Sequence, residues 1–281
     1  RDSVLELKPD VVVLPPIRNP YARDFAQTCK DFGCAVLTRH TEASCDWQDY
    51  KQMDEKTKME ILGAFRYVVD CEIVWGQDEA EILGRRTNKF PVIPVGSFVT
   101  DVYKDPDIVA KYLSKEALYQ KHNLDATKRT ILILSAWGFI DSSPDLSVDP
   151  QIACTKDEDG RKIWLEMIAA VKTALGDKYN ILVTLHPNVA IEPYKAFLDP
   201  LEIQINTENK AIELVKNCDI VIHAGSTTAV GAHILGKPCI QYGDQNKKGG
   251  WEGRADTWMS KISPFAKDLS DLIEKINIAE F

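Results

Sequence analysis

Apolar residues fall in short blocks separated by stretches of helical spacing. Val11–Leu14 is a continuous β-branched run, the pattern of a strand covered on both faces. Tyr21–Phe32 has helical spacing and stops at Gly33, a residue suited to the left-handed position just past a helix. Ala35–Thr38 reads as the next strand, with RHTEAS (39–44) at its carboxyl end. Met53–Val69 reads as a helix, and Cys71–Trp75 and Val92–Val95 as strands with a helix over 78–84 between them.

Residues 101–130 are charged and helical with no strand, and Ser114 ahead of Glu116 and Ala117 predicts an N-cap there. A second alternation follows. Strands are expected at Ile131–Ser135, Asn180–Leu185, 202–204, Asp219–His223 and Cys239–Tyr242, after a long loop 137–160. Helices are expected at 161–175, 191–198, 208–216 and 228–236, with DLSDLIEKI as a last amphipathic helix. Strands alternating with helices at this spacing imply parallel, doubly wound α/β sheets. The chain is therefore read as two Rossmann-like domains, 1–104 and 131–281, joined by a helical linker 105–130. The opening LELKPDVVVLPP looks like a helix end feeding an interior strand, so the first domain is expected to be incomplete at its N-terminus.

Composition narrows the chemistry. The 281 residues are 44% hydrophobic and 27% charged, enough for a large core. A net charge of -8 argues against a general nucleic-acid binder, whose phosphate contacts need a basic face. Seven irregularly spaced cysteines without a C-x-x-C suit a reduced, cytoplasmic setting. No apolar run reaches the ~18 residues of a membrane span, and there is no clear basic amphipathic helix for docking on a bilayer.

Ligands of doubly wound folds bind beyond the carboxyl ends of the strands. In the second domain those ends carry SAWGFID (135–141), LHPN (185–188), HAGSTT (223–228) and QYGD (241–244). In the first they carry PPIRNP, RHTEAS and PVGS. Gly225 lets a ligand approach the backbone, Ser226 and Thr227 supply hydroxyls, and a following helix start favours an anion. An ordinary Ser/Thr N-cap would look the same. Pro187 holds His186 extended, aiming its imidazole out of the sheet, although a lone histidine there is commonly structural. Trp137 and Gly138 could stack on or approach a donor, or belong to the core.

LHPN followed by GSTT resembles the HP and S-S/T motif pair of GT-B glycosyltransferases that use CMP-activated sugars, among them bacterial sialyltransferases, polysialyltransferases and capsule Kdo transferases. CDP-glycerol phosphotransferases carry a similar pair. By that resemblance His186 and Pro187 lie at the donor phosphate, with Gly225, Ser226 and Thr227 holding phosphate or nucleotide. The donor would be a Kdo- or sialic-acid-like sugar on CMP, and the acceptor an oligosaccharide or lipid-linked glycan of a surface polysaccharide. Such work suits the cytoplasmic side of the inner membrane and leaves room for peripheral association. Many GT-B enzymes place a ribose-gripping Glu shortly after the turn; Gly231 stands there instead, which weakens a UDP-sugar reading.

Glu42 is the candidate general base, or a salt-bridge partner of Arg39. Asp141 is the candidate carboxylate nucleophile if configuration is retained, with Asp101 and Asp46 in reserve. DPD (105–107) and DED (157–159) resemble metal motifs but sit in a linker and a polar loop, where turns are expected. No cluster has zinc spacing, so the mechanism is expected to need no metal and no cofactor beyond the CMP-sugar. Lys247, Lys248 and Arg254 in a glycine-rich loop could reach a donor carboxylate or phosphate. The rival readings are a CDP-glycerol-type transferase, a sugar-nucleotide epimerase, a two-lobed sugar-binding protein and a degenerate transferase domain that binds a partner.

Overall fold

The computed structural model describes residues 6–15, 20–39, 68–84, 90–135, 158–185, 191–208, 210–243 and 258–279. They form two compact units, Arg1–Asp101 and Val102–Phe281. Apart from its last two residues, the helix expected over Met53–Val69 lies outside the described residues.

Unit 1 contains a parallel sheet of β1 (Val11–Leu14), β2 (Ala35–Arg39), β3 (Cys71–Val74) and β4 (Val92–Pro94), in that order. Helices among its described residues include α1 (Pro20–Asp31), α2 (Gln77–Gly84) and α3 (Phe98–Asp101). Helix α1 lays Ala22, Ala26 and Cys29 against Val12, Leu14 and Val36, the one-sided spacing of an amphipathic helix. Gly33, at φ +82, turns the chain from α1 into β2, where a side chain would be strained. Asp70 then ties the layers together. Its carboxylate accepts from the Val36 amide at 2.8 Å and pairs with Lys30 at the end of α1.

Unit 2 holds β5 (Arg129–Leu134), β6 (Tyr179–Thr184), β7 (Gln204–Asn206), β8 (Ile220–His223), β9 (Cys239–Tyr242) and β10 (Phe265–Ala266). All neighbours are parallel, in the order β10-β9-β8-β5-β6-β7. Counted from β5, this is the 3-2-1-4-5-6 order of dinucleotide-binding sheets. Helices among its described residues are α4 (Pro106–Ala110), α5 (Lys115–Lys121), α6 (Glu158–Leu175), α7 (Glu192–Leu198), α8 (Ala211–Asn217), α9 (Thr228–Ile234) and α10 (Leu269–Ile278). The strands β5, β8 and β9 are buried nearly throughout, because helices cover both faces. Ile131, Ile133, Val183 and Ile222 pack with α6, α7 and α10, while Leu132, Leu182 and Val221 pack with α5, α8 and α9.

The helical stretch 105–130 is built into unit 2. Asn217 donates to the Leu113 carbonyl and Glu213 accepts from the Leu113 amide, at 2.9 and 3.1 Å. Lys216 reaches the carbonyls of Val109 and Tyr112, and Leu118 is fully buried. Ser114 caps α5 by accepting from Ala117. Asp105, the first carboxylate of DPD, caps α4 by accepting from Asp107 and Ile108.

Several elements depart from the sequence reading. Strand β7 begins at Gln204 rather than 202, because Asp199–Leu201 forms a 3-10 turn that left-handed Glu202 closes. Helix α6 starts at Glu158, three residues early, and α8 starts at Ala211, three late. Strand β10 has two residues, too few to show a period. No helix among the described residues is long and apolar enough to cross a membrane.

Candidate functional site

The strand order of unit 2 creates one place where neighbouring connections leave in opposite directions. From β5 the chain proceeds through β6 to β7, then returns to lay β8 on the other side of β5. The crevice between the carboxyl ends of β5 and β8 is the switch point at which such sheets take ligands. Leu134 pairs with both His223 and Thr184. Thus the chain running into 186 and the chain running into 225 leave from the two strands that flank β5. That separation is two strand spacings, about 10 Å.

Of the residues singled out in the sequence, Gly225, Ser226 and Thr227 are described. They form the turn from β8 into α9 at this switch point. Gly225 adopts φ +85 and is exposed, and a side chain there would meet no atom of the described residues within 4 Å. Among the described residues the turn is therefore open on its outer side, and the positive φ alone is reason enough for glycine there. Ser226 accepts from the Thr228 amide at 3.3 Å. Thr227 is the N-cap residue, but its own conformation is helical and its side chain makes no capping bond. Thr227 thus makes no ordinary Ser/Thr cap, and Ser226, one residue before the cap position, closes a short turn onto Thr228 instead.

Beneath the turn lies a polar chain that the sequence reading did not anticipate. His223 is 1% exposed. Its Nδ1 accepts the Gly225 amide at 3.2 Å, and its Nε2 stands 2.9 Å from the Ser263 hydroxyl. Burial pushes the His223 imidazole down to about 3, so the ring is neutral. With Nδ1 accepting, the proton sits on Nε2 and is donated to Ser263. Ser263 is fully buried; nearby on β9, the Cys239 thiol donates to the Lys237 carbonyl at 3.3 Å, and burial pushes it up to about 12. Gln241 lies beside His223 in register, 3% exposed, and its Oε1 has no hydrogen-bond partner among the described residues. His223 was visible as a polar end to an apolar strand. Ser263 carried no such signal, since it approaches from a segment forty residues away in sequence.

Gly231 also has a structural explanation. The Tyr103 ring lies directly over it, so that a Cβ at 231 would collide with the ring. Tyr103 is largely buried, and burial pushes its phenol up to about 12. The lack of a carboxylate at 231 is therefore built into the packing of unit 2.

Glu42, Trp137, Gly138, Asp141, His186 and Pro187 lie outside the described residues, as do Asp46, Lys247, Lys248 and Arg254. Asp101 is exposed at the end of α3 in unit 1. Among the described residues no group of His, Cys, Asp and Glu is arranged to hold a metal ion.

No protein-family model matches the chain, and neither does any curated protein sequence. Solved structures do resemble it. The UDP-GlcNAc 2-epimerase of Methanocaldococcus jannaschii matches 99% of this chain and 72% of its own, at 17% identity and a TM-score of 0.61. The Neisseria meningitidis UDP-GlcNAc 2-epimerase bound to UDP-GlcNAc matches 98% and 69%, at 14% identity and a TM-score of 0.62. The wall teichoic acid polymerase TagF with CDPG matches 95% and 62%, at 16% identity and a TM-score of 0.58. At such identities the likeness establishes the fold: two parallel-sheet α/β domains of the GT-B kind.

Proposed function

We propose that the chain is an enzyme that binds a nucleotide-activated sugar at the β5/β8 crevice and transfers the sugar to a glycan acceptor. The carrying observation is the strand order, which puts the Gly225–Thr227 turn at the switch point, one strand removed from the strand leading to 186. An exposed glycine with open space and two adjacent hydroxyls suits a phosphate-bearing ligand. The similar structures support a nucleotide-linked substrate, since one of them holds UDP-GlcNAc and another was solved with CDPG.

In this reading the donor is a CMP-activated, Kdo- or sialic-acid-like sugar. His186 and the 225–227 turn hold the departing phosphate, and fixed donors there lower the barrier by stabilising developing charge. Pro187 keeps His186 extended, and Trp137 and Gly138 lie against the donor. Glu42 takes the proton of the acceptor hydroxyl, a step worth about 10²–10⁴-fold, and Asp141 supplies a carboxylate if configuration is retained. No metal or further cofactor takes part. The acceptor is an oligosaccharide or a lipid-linked glycan of a surface polysaccharide, at the inner side of the cell membrane.

A second reading, a sugar-nucleotide epimerase acting on a UDP-sugar, is favoured by the epimerase structures that match nearly the whole chain. The Tyr103 ring over Gly231 counts against it, because it leaves no room for a ribose-binding carboxylate at that position. A thermal-shift panel with CMP, CDP, UDP and GDP separates the two. A ligand at 100 times its Kd stabilises by about 2.7 kcal/mol. Preference for the cytidine nucleotides supports the transferase, preference for UDP supports the epimerase, and no response to any of them removes both.

A further inference from the structure

We propose that His223 is a positioning residue for nucleotide binding, fixing the Gly225 turn from beneath, a role that rests on the reading of unit 2 as a nucleotide-binding unit. The turn has a held side and an open side. On the held side the Gly225 amide is committed to His223 Nδ1 at 3.2 Å. On the open side no atom of the described residues lies within 4 Å of where a Gly225 side chain would project. A glycine at φ +85 has few intrinsic restraints. Without its inward bond, the peptide could rotate and carry Ser226 and Thr227 with it. The imidazole is itself held by Ser263 at 2.9 Å, and Ser263 is fully buried. Two buried polar side chains thus link the segment ahead of β10 to the turn. A histidine here supplies what an aliphatic residue could not: an acceptor facing the turn and a donor facing away from it, on one rigid ring.

The two ring nitrogens can be replaced separately. In His223→Asn the side-chain amide takes the place of Nδ1, keeping the acceptor for Gly225 and losing Ser263. In His223→Gln it takes the place of Nε2, keeping Ser263 and losing the acceptor. Titration calorimetry of the full chain with CMP, CDP and UDP reads the outcome. For the nucleotide that wild type binds best, H223Q is expected to bind about tenfold more weakly, the loss of one hydrogen bond. H223N should stay within about threefold, while both variants lower the melting temperature alike. Equal affinities in the two variants would overturn the role, because a merely structural histidine would weaken both in step with stability. A measurement on wild type covers the case in which the variants do not fold. Nitrogen-15 NMR of labelled histidine at pH 6 should show His223 neutral and protonated on Nε2; a proton on Nδ1 would overturn the bond to Gly225. If wild type binds none of the nucleotides, the nucleotide reading falls and this role with it. Wild-type binding with H223Q unimpaired removes this role alone.

Discussion

The two units use the same sheet architecture and treat its faces differently. In unit 2, β5, β8 and β9 are buried almost without break, with separate apolar clusters on the two faces. In unit 1, one face carries α1, and the other leaves Val11, Val13 and Ile93 at 51%, 55% and 45% exposure. The registers put these three on one side, since Val11 pairs with Ala35, Val13 with Leu37, Leu37 with Cys71 and Ile73 with Ile93. Parallel sheets are ordinarily covered twice. The difference teaches that a β-branched run announces a parallel strand without stating how much it buries. VVVL and IVIH look alike in sequence, yet one is half-exposed and the other is core.

The largest expected effect tests the doubly covered unit. Trp164 on α6 is fully buried and meets Tyr194 edge-on, with ring centroids 6.1 Å apart. Truncation leaves a large cavity between α6, α7 and the sheet. Trp164→Ala should cost about 3–5 kcal/mol. Hydrogen exchange followed by mass spectrometry should show protection lost in β5 and β6 while β2 keeps its own. A loss spread evenly over both units would contradict their separate cores.

Next comes Gly231. Adding a methyl group there drives it into the Tyr103 ring. Gly231→Ala should destabilise by about 1–3 kcal/mol, the usual cost of overpacking, despite alanine's higher helix propensity. Combining it with Tyr103→Ala should recover part of the loss in a double-mutant cycle. Additive losses would mean that the ring does not lie over the glycine.

These residues mark how much was legible in the sequence. The fold was readable because continuous apolar strands alternating with helices admit few arrangements, and Ser114 and Gly33 took the capping positions their chemistry suggests. The start of β7 was not, since a left-handed Glu202 is a tertiary choice with no composition signal. At the site, Gly225 and Ser226 could be picked out because a strand-to-helix turn requires such residues. Tyr103 and Ser263 could not, because each acts across a long sequence separation through a contact that no local pattern encodes.

A smaller effect distinguishes how unit 1 is fastened. The Lys30 ammonium and the Val36 amide hold the Asp70 carboxyl below its ordinary range. A depressed carboxylate contributes stability above its unfolded pKa of about 3.9 and loses it as pH falls through the lower folded value. Asp70→Asn should therefore weaken unit 1 at pH 7 by less than about 1 kcal/mol, the partly exposed ion pair being screened by water. The difference from wild type should shrink as pH drops below that value. Protection of the Val36 amide, followed by hydrogen exchange across the pH range, reads this directly. A penalty unchanged at low pH would show that the carboxylate's charge is not what fastens α1 to β2.

The smallest effect addresses the exposed face itself. Val13→Thr and Val183→Thr are the same exchange of a methyl for a hydroxyl, at near-identical size. At Val183, fully buried in the unit 2 core, the hydroxyl must find a partner or remain unsatisfied, at about 1–3 kcal/mol. At Val13, 55% exposed, water supplies the partner, and the change should fall within about 0.5 kcal/mol of zero. Urea denaturation monitored by probes in each unit separates the two. Were Val13→Thr to cost as much as its buried counterpart, the outer face of β1 would have to be covered in solution, and the two sheets would be alike in the respect in which they now differ.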